Sequence, residues 1–194
     1  MDYTPYINLL KSKLDDYRFN HSLCVAKESY RLAEKYSYDT TKAYLAGLLH
    51  DITKNESREF HLNYIKEFDI ILTDIELASD SLLHAISGSL FVKHELKIED
   101  EDIISAIRYH TTAKGGMSLL EKIVYVADFT SSDRSYPDID KMRDEASKSL
   151  ENAIVYAVSY TVNRLIGKNC PVHPDAIAAY NDAIMTLNKS EEIS

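Results

Sequence analysis

Glycine and proline are scarce in this chain of 194 residues, which contains five of the first and four of the second. These residues interrupt regular secondary structure most often, so their scarcity favours long helices. Hydrophobic residues make up 45% and charged residues 27%, a balance typical of globular proteins. The length fits one domain with a well-covered core. We therefore expect a single domain over 1–194, with its core over about 6–182 and a frayed tail at 189–194.

Cysteine is also rare, and the two cysteines, Cys24 and Cys170, lie far apart. Neither belongs to a CxxC pair, which argues against a disulfide framework and against a zinc ribbon. The sequence lacks an apolar run long enough to span a bilayer, and its N-terminus lacks the basic and apolar regions of a signal peptide. These features predict a cytoplasmic protein that does not bind a membrane.

Positive charge is in short supply, because 31 acidic residues outnumber 22 lysines and arginines and leave a net charge of −9. This excess argues against a nucleic-acid-binding surface. A phosphate-rich small molecule would have to be attracted by local cations and not by the protein as a whole.

Apolar residues recur with a helical period along nearly the whole chain, and strand-like alternation is nowhere convincing. The pattern predicts an all-α fold, a single helical bundle. Capping signals place helix starts at Thr4, at Asp39 or Thr40, and at Ser118. One long helix is expected from about Ile139 to Leu165, and its apolar seam fits either the core of the domain or the interface of a homodimer.

Six side chains that can bind metals occur on or beside the apolar faces of these helices: His21, His50, Asp51, His84, His110 and Asp128. Asp128 is the most informative, because it shares a helical stripe with Leu120, Val124 and Ala127. Burying a carboxylate is costly unless a cation or a metal accompanies it. Any one of the histidines alone is more often a core residue, and Asp128 alone could pair with a buried arginine. Together, the six residues favour a metal.

The order of these residues predicts two neighbouring metal ions. His50 and Asp51 are adjacent at a helix end, so an imidazole and a carboxylate can reach one ion. His21 and Asp128 could complete this site, and the two later histidines could complete a second one that shares Asp51. Two divalent ions roughly 3.5–4 Å apart are a known arrangement for the hydrolysis of phosphoesters and phosphoanhydrides. The remaining histidines lie on more polar stretches and are not expected to bind metal.

Basic and small polar residues near these ligands are candidate contacts to a phosphate-rich substrate. Lys54 follows Asp51 by three residues, Arg18 precedes His21 by three, and the only glycine pair of the sequence follows His110. The alternative for each basic residue is solvent exposure or a surface ion pair. The candidate substrate contacts are Arg18, Lys54, Thr111, Lys114, Gly115, Gly116 and Arg134.

Several segments resemble the bacterial YqeK-type members of the HD superfamily of metal-dependent phosphohydrolases. They are RFNHS (18–22), LLHDITK (48–54), LLHAISG (82–88), HTTAKGGMSLLEKIVYVAD (110–128) and HPDAIAAYN (173–181). The resemblance runs from about residue 6 to 182. Its HTT segment is the most specific part, whereas a His-Asp pair alone is weak evidence for the family. After Asp128 the chain departs from the family pattern, because TSSDR (130–134) stands where an acidic residue and a proline usually precede a basic one.

The resemblance implies a single HD domain that cleaves diadenosine tetraphosphate symmetrically into two molecules of ADP. It implies two divalent ions bound by the six residues, iron being expected and manganese, cobalt or nickel being compatible. Hydroxide activated by the metals would attack an inner phosphorus, with Asp51 and Lys54 in catalytic roles. Two alternatives stay open: hydrolysis of another nucleotide (a nucleoside mono- or triphosphate, or a guanosine alarmone), and a non-catalytic module that senses nucleotide or metal.

Overall fold

The computed structural model describes residues 1–192, and this part of the chain is built of eleven α-helices without a β-strand. The predicted all-α class is confirmed. In chain order the helices are α1 Thr4–Lys13, α2 Asp16–Lys35, α3 Thr40–Leu49, α4 Arg58–Lys66, α5 Asp74–Leu77, α6 Asp80–His94, α7 Glu101–Tyr109, α8 Leu119–Thr130, α9 Ile139–Lys148, α10 Leu150–Gly167 and α11 Pro174–Glu191.

Several helix starts are set by side chains that accept hydrogen bonds from the first turn. The Asp39 carboxylate accepts from two backbone N–H groups of α3, and Ser118 forms a reciprocal capping box with Glu121 at the start of α8. The prediction that Thr4 caps α1 is wrong. Thr4 is the first residue of the helix, the cap position belongs to Tyr3, and the Tyr3 side chain makes no capping hydrogen bond.

The long helix predicted from Ile139 to Leu165 is two helices, α9 and α10, separated at Ser149. The backbone of Ser149 is extended, with φ −158° and ψ 167°, and its side chain accepts a hydrogen bond from the N–H of Asn152. Serine ends one helix here because its hydroxyl caps the next. Most of the apolar seam of both helices, including Met142 and Ile154, is buried in the core of this one chain, and Leu165 at its end is half-buried. A homodimer stays a prediction.

Two further features differ from the expected pattern. The short helix α5 was not foreseen; it begins with a capping box between Thr73 and Glu76. At the other end, α11 continues to Glu191, so helix extends into the segment expected to fray, and residues 193 and 194 lie outside the described part. None of the helices in that part is both long and apolar enough to cross a membrane. A single domain over the whole chain stays a prediction.

The core is organised around α2, which packs against α3 and α8, while α7 packs against α3, α6 and α8. Gly47 allows the closest approach of α2 and α3, because a Cβ atom added there would lie 2.5 Å from the hydroxyl oxygen of Ser29. This packing brings side chains from α2, α6 and α8 together with the C-terminal ends of α3 and α7.

Candidate metal centre

Five helices bring the six predicted ligands into one cluster. His21 comes from α2, His50 and Asp51 follow α3, His84 comes from α6, His110 follows α7, and Asp128 comes from α8. Within this cluster, three sets of three residues have ligand atoms that all lie within 4.8 Å of one another. Five of the six residues are buried, and Asp128 exposes 16% of its side-chain surface. The predicted grouping is therefore present, and the role of these residues as metal ligands stays a prediction.

Asp51 lies at the centre of the cluster, and its two oxygen atoms face different partners. Oδ1 lies 3.0 Å from Nε2 of His84 and 3.5 Å from Nε2 of His110. Oδ2 lies 3.3 Å from Nη1 of Arg18 and 3.6 Å from Nε2 of His50. A carboxylate in this position can contact one ion with each oxygen.

Backbone carbonyls orient two of the histidines. Nδ1 of His50 lies 2.8 Å from the carbonyl oxygen of Gly47, and Nδ1 of His110 lies 2.7 Å from that of Ile107. Because a carbonyl only accepts, each Nδ1–H must be the donor. In the neutral imidazole this leaves the lone pair on Nε2, on the side of the ring that faces the cluster.

A carboxylate outside the predicted set orients a third histidine. Nδ1 of His21 lies 2.7 Å from Oδ2 of Asp133, and its Nε2 lies 2.9 Å from Oδ1 of Asp128. Burial lowers the pKa of His21, but the hydrogen bond and charge of Asp128 outweigh burial and leave this pKa above its usual value. Sequence reasoning missed Asp133, and the only signal for it was an acidic residue five positions after a candidate ligand.

Burial and charge set the protonation of the other ligands. Burial lowers the pKa of His50 to about 3 and that of His84 to about 4, so both imidazoles are neutral at neutral pH. Burial also raises the pKa of Asp51, but neighbouring charges, among them the Lys54 ammonium, outweigh it and hold this pKa well below its usual value. Neutral imidazoles and ionised carboxylates are the states that metal ligation requires.

Two buried atoms of the cluster, Nε2 of His50 and Oδ1 of Asp51, have no hydrogen-bond partner among residues 1–192. Oδ1 is close to His84 without the geometry of a hydrogen bond. A buried polar atom without a partner costs about 1–3 kcal/mol. A divalent ion would give both atoms a partner, and a set of imidazoles and carboxylates suits iron, manganese, cobalt and nickel. The residues present therefore fit a divalent metal.

Three of the predicted substrate contacts lie at the edge of the cluster. Nζ of Lys54 lies 3.5 Å from Oδ1 of Asp51, and Arg18 approaches the other oxygen of the same carboxylate. Arg134 pairs with the Asp128 carboxylate, and its Nε donates to the Asp128 carbonyl at 2.7 Å. The structure thus brings three fixed cations to a site that also holds two carboxylates.

The loop that follows His110 has contacts in two directions. Oγ1 of Thr111 lies 3.2 Å from Nε2 of His110 and so belongs to the edge of the cluster. Lys114 instead pairs with Glu121 of α8 at 2.9 Å, and the two glycines of this loop contact α11. The substrate contacts assigned to Lys114 and to the glycines stay predictions, since all three have other partners in this structure.

A buried chain of hydrogen bonds supports His84 from behind. The Thr53 hydroxyl donates to the carbonyl of His84 at 2.9 Å and lies 3.0 Å from Oγ of Ser87, which lies 2.8 Å from Nδ1 of His61. Gly88 makes room for the Thr53 hydroxyl, because a Cβ atom at position 88 would lie 3.3 Å from Oγ1 of Thr53. His61 is buried, although it lies on a polar stretch of sequence, and its hydrogen-bond partner is Ser87, which lies outside the cluster.

A family model for the HD domain matches residues 18–133, a span that contains the complete cluster and Asp133. The match covers more than half of the chain, and the all-helical fold and the His-Asp cluster agree with it. The chain belongs to the HD domain family.

Individual relatives match nearly the whole chain. The chain is 37% identical over 179 residues to a protein of Halalkalibacterium halodurans named "Bis(5'-nucleosyl)-tetraphosphatase, symmetrical", covering 92% of this chain and 95% of that one. A Bacillus subtilis protein of the same name is 35% identical over 172 residues, covering 89% and 92%. A crystal structure of a predicted HD superfamily hydrolase involved in NAD metabolism from Clostridium acetobutylicum superposes with a TM-score of 0.92 at 34% identity, covering 96% of this chain and 98% of that one.

Proposed function

We propose that this chain is an enzyme that hydrolyses diadenosine tetraphosphate symmetrically to two molecules of ADP. The relatives named for this activity match about nine tenths of the chain. The observation that carries the proposal is the buried Asp51 carboxylate with one oxygen facing His84 and His110 and the other facing His50. Another nucleotide substrate or a non-catalytic sensor is not favoured by these relatives.

Two divalent ions, for which iron is the proposed metal, fit the six side chains. One ion would be held by His21, His50, Asp51 and Asp128, and the other by Asp51, His84 and His110. When bound, the ions supply Lewis-acid activation of the phosphoryl group and of water. Manganese, cobalt or nickel would suit the same imidazoles and carboxylates.

The cations at the edge of the cluster bind and orient the phosphates of the substrate. The charged groups of Arg18, Lys54 and Arg134 lie beside Asp51 or Asp128. Substrate phosphates at the cluster would therefore meet these three cations, which offset the negative charge of the phosphates. A net charge of −9 makes such local cations necessary. Cleavage into two equal halves requires attack on an inner phosphorus, so these residues must hold the polyphosphate in one register.

The direct test is an analysis of products. Protein prepared without oxygen and loaded with ferrous iron is incubated with diadenosine tetraphosphate, and the nucleotides are separated by anion exchange. ADP as the sole product is the expected result. ATP together with AMP would contradict the proposed register while keeping the hydrolase. No product from protein with two metals bound would contradict the proposed substrate and direct attention to another nucleotide or to a sensor.

The Asp51→Ala variant links this activity to the cluster. Asp51 contacts residues of both proposed metal sites, so its loss should reduce metal content and abolish turnover. Metal content is measured by elemental analysis, and folding by circular dichroism. Full activity and full metal content in this variant would show that the chemistry occurs elsewhere.

A further inference from the structure

A cavity of about 260 Å³ opens directly beside the cluster, because its wall contains His84 of the cluster and Lys54 from the cluster's edge. Its wall also contains Glu56, Arg58 and Ser81, and every described residue that lines it is polar. Pockets that enclose a nucleobase usually have apolar or aromatic walls and volumes of roughly 300–1,000 Å³. A smaller cavity lined by charged and polar residues suits the charged part of a nucleotide.

Each charged residue at the wall of this cavity has an ion-pair partner. Its two acids already have partners: Glu56 lies 2.8 Å from Nζ of Lys13, and Asp80 is paired with Arg58. Lys54 adds a third cation, and its own partner is the Asp51 carboxylate of the cluster. The wall residues and their ion-pair partners thus comprise three cations and three acids, so an anion that enters the cavity must compete with Asp80 for Arg58 and with Asp51 for Lys54.

Two helices begin at the cavity. Arg58 is the first residue of α4, and Asp80 and Ser81 are the first two residues of α6. Ser79, at the cap position of α6, makes no hydrogen bond to the first turn, because its hydroxyl lies 2.8 Å from Oγ of Ser81 instead. The N–H groups of that turn lack a side-chain cap, and the positive end of each helix dipole lies at the cavity.

We propose, on the basis of the function proposed above, that this cavity binds the diphosphate of the ADP half that departs from the cluster. Arg58 supplies the main cation, and the start of α6 supplies backbone N–H donors. Water adds to one inner phosphorus, the bond from that phosphorus to the bridging oxygen breaks, and this oxygen leaves with the departing ADP. Two phosphates beyond the broken bond fill the cavity, which accounts for the symmetrical cut.

The test uses variants at the Arg58–Asp80 pair, with Arg31→Gln as the matched control. Arg31 is an exposed arginine of α2 that pairs with Glu28 outside the cavity. Arg58→Gln removes a charged donor and should raise KM for diadenosine tetraphosphate about tenfold or more, with a much smaller change in kcat. Asp80→Asn removes the acid that competes for Arg58 and should lower KM by about two- to fivefold.

These opposite signs separate substrate binding from a structural ion pair. If the Arg58–Asp80 pair only held α4 against α6, the two variants would change KM in the same direction, upwards, or would both lower thermal stability without opposite effects on KM. Either result would overturn the proposal. An Arg58→Gln variant with KM within twofold of the wild type would also overturn it. The Arg31→Gln control should match the wild type, and metal content should be equal in all four proteins.

A second measurement keeps the cavity testable if the proposed substrate is wrong. If wild-type protein releases no ADP from diadenosine tetraphosphate, the proposed function fails, and ADP itself is then titrated by calorimetry into metal-loaded wild type and Arg58→Gln. Weaker ADP binding in the variant would support a diphosphate site in the cavity. Equal binding in both proteins, or binding in neither, would contradict such a site.

Discussion

Asp133 contacts His21, one of the proposed metal ligands, and its carboxylate lies 2.7 Å from Nδ1 of that imidazole. Such a contact fixes the ring and increases the basicity of the opposite nitrogen, and its loss typically lowers metal affinity or activity about 10–100-fold. Asp133→Asn is therefore expected to weaken metal binding by this factor. The measurement is a titration of the metal-free protein with ferrous ion or manganese.

Asp140→Asn serves as the control for this change, because Asp140 is an exposed acid on α9 outside the cluster. If Asp133 only positions His21, saturating metal should restore most of the kcat of Asp133→Asn. Metal affinity equal to that of the control would show that the contact has no such role.

The site residues differ in how far sequence could reveal them. Asp128 and His84 could be found because each occupies a helical register next to apolar residues, and that register is local information. Asp133 lies in a polar loop, and its contact with His21 arises only when α2 and α8 pack together. His61 lies on a polar stretch of sequence, yet tertiary packing buries it against Ser87.

Among the helices, α2 and α3 depend on the absence of a side chain at Gly47. A Cβ there would lie 2.5 Å from Oγ of Ser29 and 3.0 Å from the backbone carbonyl of Val25. Overpacking of this kind typically costs about 1–3 kcal/mol, so Gly47→Ala should lower the free energy of unfolding by that amount. Denaturation in urea, followed by circular dichroism, measures the change.

Gly167→Ala is the matched control, since a Cβ at this position in α10 has no atom within 4 Å among the described residues. Alanine favours helix over glycine by up to about 1 kcal/mol, so this control should be neutral or stabilising. Equal losses in the two variants would mean that contact with Ser29 is not the cause.

The short helix α5 is held by Glu76, which caps its start and pairs with Arg108 at 2.6 Å. Burial raises the pKa of Glu76, but hydrogen bonds from Thr73 and Arg108 outweigh it and hold this pKa below the usual 4.5. Its stabilising contribution is therefore complete above pH 4.5 and is lost as pH falls through the lower, folded value.

Glu76→Gln should consequently destabilise the protein at neutral pH, by roughly 1–3 kcal/mol. The difference from wild type should shrink as pH falls below 4.5. Thermal unfolding across this pH range measures it, with the exposed Glu99→Gln as control. A difference that stays constant with pH would contradict ionisation of Glu76 as the cause.

Helix boundaries could be predicted where one side chain closes a local hydrogen bond, as Asp39 and Ser118 do. The break at Ser149 was missed although its hydroxyl also caps a helix, because the apolar period continues across it from α9 to α10. The four residues of α5 are too few to show a period, so their capping box was the only available signal.

For the whole molecule, the cluster concentrates six ionisable side chains in a protein whose other buried residues are mostly apolar. An ion that binds only the folded protein stabilises it by mass action, by about 2.7 kcal/mol at a hundredfold excess over Kd. A divalent metal should therefore raise the Tm by roughly 5–10 °C in a protein of this size. Scanning calorimetry of chelator-treated and metal-loaded protein measures the shift.

Asp51→Ala distinguishes this effect from general salt stabilisation. The variant should show little of the shift, because Asp51 contacts both halves of the cluster. A shift of the same size in the variant, or in wild type treated with magnesium sulfate alone, would point to nonspecific binding by an acidic protein.

The carbonyls that orient His50 and His110 belong to the final turns of α3 and α7. An imidazole keeps its lone pair aimed at the cluster only while these turns are wound, so fraying of either helix end also disperses the ligands. Ion binding and the order of these turns are then one linked equilibrium, in which metal affinity includes the free energy of keeping the turns closed. Once metal is present, the backbone amide protons in both turns should exchange more slowly with solvent deuterium, although these amides do not contact the metal.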